Sequence, residues 1–286
     1  MISRREGWLL ITPLAVFLVL WLGFPFLTDL VYSLSQVGFT TLRQPRLSGF
    51  GNYAAVLHDP AFWQAMGFSL RYAVVETVAQ VAAGLGLAVG LAPILSRYRS
   101  LLALILLPLM IAPALNGLMY RLMLNDFVGI IPIYLGMLDL SPNLLGPGWV
   151  FWTVAAIDAL QNVPFTLLLA LAGLQAIPPE LREAARVDGA SAWQEFRRVL
   201  LPLLVPVLAI AGLVRFIDSF RVFDHIYVLT GGGPGDATTG ISLYIYKAFF
   251  AQQHLGLAVA ASMILLLLSL VLLLALMRRS LHGARA

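Results

Sequence analysis

The sequence holds no cysteine, so disulfides and thiolate metal sites are excluded and redox chemistry says nothing of the compartment. Charged residues make up only 11% of the chain, too few to clothe a soluble domain of this size. The Gly-x-x-x-x-Gly-Lys-Ser/Thr pattern that cradles nucleotide phosphates is absent. No His, Asp and Glu cluster has metal-ligand spacing, and no Ser/His/Asp set stands out. What fills the chain is apolar: 60% of residues are hydrophobic and mean hydropathy is +0.89, values that belong in a bilayer. The net charge of +4 is small, and the basic residues flank apolar runs instead of forming a patch, which argues against nucleic acid.

A spanning helix needs roughly 20 mostly apolar residues. Six segments qualify, at about 8–31, 72–95, 101–123, 150–174, 203–228 and 256–277, so the expected class is an all-α membrane protein with six transmembrane helices. The first is long, contains Pro13 and Pro25 and lacks a small-residue cleavage site, and it reads as a retained helix. Arginine sets the orientation. Arg4 and Arg5, Arg97 and Arg99, Arg182 to Arg198, and Arg278, Arg279 and Arg285 fall on one side of this scheme, while the other side carries Arg43, Arg46 and Lys247 clear of the spans. By the positive-inside rule both termini are expected in the cytoplasm.

The outer connections are built from turn and capping residues. Gly51-Asn52-Tyr53 and His58-Asp59-Pro60 lie in the first, Pro132, Pro142, Asn143 and Gly146-Pro147-Gly148 in the second, and Gly231-Gly232-Gly233-Pro234-Gly235-Asp236 in the third. They offer a shaped surface and no catalytic set. The inner connection at 178–200 is different: Pro178-Pro179 stops a span, and a charged run with scattered Ala, Trp193 and Phe196 follows. Gly189 should interrupt it, giving a short helix, a turn and a second short helix. Glu183 has a local reading as an acid stabilising a helix N-terminus, alongside a docking role.

Glu183-Ala184-Ala185, Asp188-Gly189-Ala190, Phe196 and Leu201-Pro202 resemble the EAA loop in membrane subunits of binding-protein-dependent ABC importers. Pro164-Phe165, Gly173-Leu174-Gln175-Ala176-Ile177-Pro178, Tyr227 to Pro234 and Gly51-Asn52-Tyr53 fit the same pattern, which covers nearly the whole chain and resembles the carbohydrate-uptake branch. The resemblance implies a type I ABC importer permease fold and no enzyme activity. ATP and Mg would be bound by a cytoplasmic ATPase dimer, and Glu183, Ala184, Ala185, Asp188 and Gly189 would carry the contact with it. A second permease subunit, a similar but distinct chain or else a second copy of this one, an extracytoplasmic sugar-binding protein and a bacterial or archaeal inner or plasma membrane complete the implied assembly.

Cargo contacts should be polar residues that lipid would exclude, since a mid-bilayer charge costs ~2.5–3.5 kcal/mol on insertion scales. Asn116 and Tyr120 are spaced i, i+4 with Arg121 beside them, and Asp158, Gln161 and Asn162 share another helical face. Arg215, Asp218, Arg221 and Asp224 alternate in sign at intervals of three, with Phe216, Phe220 and Phe223 interleaved and His225 behind. Opposite charges three apart can pair along one helix, so this ladder is either structural or ligand-binding. Carboxylate, amide, guanidinium and aromatic groups together suit a sugar. The resemblance places sugar contacts at or near Asn116, Asp158, Gln161, Asn162, Ser219 and Arg221; Tyr120 and Phe220 complete the candidate set. Arg71 and Glu76, five apart, read as pairing with neighbouring helices or solvent. Gly84, Gly86 and Gly90 read as a surface for close helix approach. An ion-coupled secondary transporter is the alternative, though one is expected to be larger or internally repeated. A membrane-embedded enzyme would have only Asp158, Asp218 and His225 to draw on.

Overall fold

The computed structural model describes residues 4–140 and 143–283; Pro142 and Arg285, used in the sequence reading, lie outside the described residues. The chain begins with α1 (Arg4–Leu18), a π-turn at Val19–Gly23 and α2 (Phe24–Ser33). A small hairpin, β1 (Ser35–Gln36) and β2 (Arg46–Leu47), leads to α3 (Gly51–His58) and α4 (Pro60–Arg97). Then come α5 (Arg99–Leu106), α6 (Pro113–Met123), α7 (Ile130–Met137), α8 (Val150–Ala176), α9 (Pro179–Val187) and α10 (Ala192–Glu195). The chain continues through α11 (Leu201–Phe220), α12 (Asp224–Leu229), α13 (Ile241–Tyr246) and α14 (Leu255–Gly283).

Among the described residues, four helical stretches are long and apolar enough to cross a membrane: Ile11–Ser33, Pro60–Leu95, Val150–Ala176 and Ala192–Leu229. The expected third span is not one straight helix. Ser100–Met110 and Pro113–Met123 meet at 87°. Proline causes the break: Pro108 lies in a 3-10 turn, and Pro113 pushes Ala112 into extended backbone at φ −60°, ψ 134°. The expected fifth span also breaks. α11 ends at Phe220 with Arg221 as its C-cap and α12 begins at Asp224, so the alternating charges do not run along one continuous helix.

The chain forms two units. One comprises the described residues up to Trp63 with Tyr244–Ser269. Here Asn52 Nδ2 donates to the carbonyls of Ser33 (3.0 Å) and Ser35 (2.8 Å), and Tyr53 Oη donates to Ser33 Oγ (2.8 Å), pinning the hairpin to α3. Asp59 caps α4 through Ala61 N at 2.9 Å, Pro60 fills the first helical position, and the other Asp59 oxygen accepts from Tyr244 Oη at 2.7 Å. The Gly51-Asn52-Tyr53 and His58-Asp59-Pro60 phrases are thus structural clasps.

The other unit comprises Gln64–Leu243 and the residues from Leu270. Its apolar core packs Ala88 and Leu95 of α4, Leu167, Ala170 and Leu171 of α8, and Leu204 and Leu208 of α11. Gly84 is required there, since an added Cβ would overlap Thr166 and the Leu167 backbone. Gly86 and Gly90 meet nothing within 4 Å, so close approach inside the chain accounts for Gly84 alone of the three.

Candidate functional site

Next to that apolar core the same helices bury a polar layer. Tyr72, Glu76 and Gln80 of α4 lie at i, i+4 and i+8, and all three are fully buried. Gln80 Nε2 donates to Glu76 Oε2 at 2.6 Å and reaches Asp158 Oδ2 at 3.4 Å. Asp158 is the hub: its Oδ1 accepts from Asn162 Nδ2 at 2.7 Å and lies 3.8 Å from His225 Nε2, which is 3.3 Å from Tyr72 Oη. Glu76 therefore faces neither lipid nor solvent. Arg71 sets its guanidinium 4.6 Å over the Phe151 ring of the neighbouring α8.

The two amide residues serve the helix break. Gln161 Nε2 donates to the Ile111 carbonyl at 2.7 Å, and its Oε1 accepts from Asn116 Nδ2 at 2.8 Å. A carbonyl freed by a broken helix within a bilayer must find a donor inside the protein. Gly117 permits the neighbouring contact of α6 with α12, because a Cβ there would stand 2.9 Å from the His225 carbonyl.

Arg215 is buried. Its Nη1 donates to Asn162 Oδ1 at 2.8 Å, its Nη2 lies 3.4 Å from Asp218, and its guanidinium stands 5.6 Å over Phe165. Asp218 also faces Arg221 at 3.6 Å, so the pairing expected of Arg215 and Asp218 is present and extends by one residue. Arg121 Nη1 donates to the Val228 carbonyl at 3.0 Å, closing the end of α12.

Within the candidate set, Asn116, Asp158, Gln161, Ser219 and Phe220 are buried, Tyr120 and Asn162 half-buried, and Arg221 exposed with 62% of its side chain open. Phe220 stacks on Phe216 at 6.0 Å. Five of the eight thus belong to the packed interior, while Tyr120, Asn162 and Arg221 are wholly or partly open, with Asp218 beside Arg221. Buried but unpartnered atoms remain at Glu76 Oε1, Gln80 Oε1, Arg215 Nε and Ser219 Oγ, an unspent hydrogen-bonding capacity within this layer.

The 178–200 segment forms a helix, a turn and a second helix. Glu180 occupies the first turn of α9, so the terminus-stabilising reading passes from Glu183 to Glu180. Gly189, at φ +74°, ends α9: its N–H bonds the Arg186 carbonyl at 3.0 Å and Ala190 N–H bonds the Ala185 carbonyl at 2.9 Å, the two bonds of a Schellman cap. Ser191 and Gln194 form a reciprocal capping box at α10. Sequence reasoning passed over Glu195. It is buried, and accepts from Arg182 Nε at 2.7 Å and Arg186 Nε at 3.4 Å, tying α9 to α10. The hydrogen bond from Arg182 holds its carboxyl below the ordinary carboxylate range. Glu183, Ala184, Asp188 and Gly189 are left exposed and Ala185 half-exposed, with Val187 and Trp193 also open.

Residues 8–283 match the family described as binding-protein-dependent transport system inner membrane component. The trehalose/maltose transport system permease protein MalF of Thermococcus litoralis is 36% identical over 270 residues, covering 93% of this chain and 91% of that protein. The trehalose transport system permease protein SugA of Mycobacterium tuberculosis is 31% identical, covering 93% of this chain and 85% of its own. A crystal structure of a bacterial ABC transporter that imports the acidic polysaccharide alginate has the same fold, with a TM-score of 0.82 and 22% identity over 97% of this chain and 96% of the other. With a family match over nearly its full length, the chain belongs to the inner membrane components of binding-protein-dependent transport systems.

Proposed function

We propose that this chain is one permease subunit of an ATP-driven carbohydrate importer in a bacterial or archaeal inner or plasma membrane, with disaccharides of the trehalose and maltose class as first candidates. The observation that carries the reading is the 36% identity, over 93% of this chain and 91% of the other, to a trehalose/maltose permease. The buried polar layer supports it, since carboxylate, amide and guanidinium groups grouped inside an apolar chain suit a cargo rich in hydroxyls. We assign both termini and the 178–200 loop to the cytoplasm, and six spans to the chain, the third and fifth broken.

A second permease subunit, distinct from this one, supplies the other wall of the path. An ATPase dimer binds ATP and Mg, and Glu183, Ala184, Ala185, Asp188 and Gly189 present its contact surface. A loaded binding protein docks on the outer loops. ATP-driven closure of the ATPases moves α9 and α10, and the path opens outward to take the sugar before resetting. Tyr120, Asn162 and Arg221 touch the cargo; Asn116, Asp158, Gln161, Ser219 and Phe220 set the shape and polarity of the layer behind them.

The test is ATP hydrolysis by the reconstituted complex while ligands are screened on its binding protein. Trehalose or maltose on that protein should stimulate hydrolysis severalfold. Stimulation by an amino acid or a metal ion, with no response to any carbohydrate, would overturn the carbohydrate reading.

A further inference from the structure

The hairpin unit contains a cavity of about 820 Å3 to which neither the translocation path nor the ATPase contact gives a role. The hairpin side contributes Gln36, Thr40, Thr41, Arg43, Gln44 and Arg46. Asn52, Gln253, His254 and Leu257 face them. No lining residue is Asp or Glu, and neither Arg43 nor Arg46 has a carboxylate partner among the described residues. Both arginines and His254 are exposed.

The frame is held firmly. Asn52 bonds the carbonyls of Ser33 at the end of α2 and Ser35 in the hairpin, Gly256 N–H bonds the Val37 carbonyl at 3.3 Å, and a Cβ on Gly256 would stand 2.5 Å from the Ser35 carbonyl. Arg43 and Arg46 also run against the arginine asymmetry that orients this chain, which disfavours arginine on short translocated loops. Two guanidiniums, an imidazole and several amide and hydroxyl groups around a wide opening make a receptor for carboxylates presented on a protein surface.

We infer that this cavity receives an acidic patch of the substrate-binding protein, with Arg43 and Arg46 pairing to its carboxylates. The inference rests on the proposed orientation and on binding-protein dependence. Exposed interfacial charges act on encounter and on salt sensitivity more than on the chemistry that follows. Their loss should therefore raise the binding-protein concentration needed, leaving the rate at saturation alone.

The experiment uses the complete transporter in lipid nanodiscs, titrated with its loaded binding protein at about 50 mM and about 300 mM salt, a range over which exposed charges become screened. For the Arg43→Gln/Arg46→Gln variant, the half-saturating concentration should rise about tenfold at low salt and lose most of its salt dependence. The Arg43→Lys/Arg46→Lys variant should keep the wild-type salt response. Unchanged half-saturation and salt slope in the Gln variant would overturn the inference, as would Gln and Lys variants that fail alike, or a defect that follows the charge of the lipid and not the binding protein. Wild-type transporter that no binding protein stimulates would instead count against the proposed function, so the two failures are distinguishable.

Discussion

Glu195 shows how one side chain can fix a working surface. It takes two arginines of α9 from its place at the end of α10, leaving Glu183 and Asp188 on the open face. Replacing Glu195 with Gln should loosen the α9 to α10 angle at a cost of about 1 kcal/mol, because both arginines are partly solvated. The expected readout is hydrolysis that no longer tracks transport, with normal membrane insertion. Since the Glu195 carboxyl is held below its ordinary value, the pairing is complete above the normal carboxylate range and fails only as pH falls through the lowered value. Coupling should then be insensitive to pH around neutrality; a loss of coupling between mildly acidic and neutral pH would contradict this. Glu183 makes no hydrogen bond or ion pair among the described residues, so Glu183→Lys should abolish transport while the chain inserts and folds normally. Uptake at the wild-type rate by that variant would remove Glu183 from the ATPase contact.

Helices were easier to foresee than their interruptions. The apolar run at 101–123 has the length of a span, and hydropathy averages away the two prolines that bend it by 87°. Pro108 and Pro113 were the available signal. Gln161 and Asn116 were legible as a polar pair, but their work on the broken backbone is set by tertiary approach. Glu76 reads from the sequence as pairing with neighbouring helices or solvent, and its bond to Gln80, four residues on along the same face, together with Tyr72 one turn before it, emerges only in the structure. Glu195 lies outside the motif that drew attention to its loop. Two substitutions test the elements. Gln161→Leu should strip the Ile111 carbonyl of its donor and destabilise the chain by ~1–3 kcal/mol. Gly84→Val should force α4 from α8 at a comparable ~1–3 kcal/mol, whereas Gly86→Ala should leave the isolated chain's melting temperature unchanged. Equal melting temperatures for the Gly84 and Gly86 variants would contradict the packing described.

Across the whole molecule, the proposed driving surface and the proposed carrying layer are separate. The 178–200 loop leaves a charged face of α9 open, held by Glu195, while a polar layer lies buried among α4, α6, α8, α11 and α12. In the proposed importer the energy source is a separate ATPase, and the exposed face of α9 is its proposed contact. The most direct measurement is uptake of labelled trehalose or maltose into proteoliposomes carrying this chain, its partner permease and the ATPase, with ATP and binding protein each supplied or withheld. Uptake should require both. Accumulation that persists without ATP or without the binding protein would contradict the central claim.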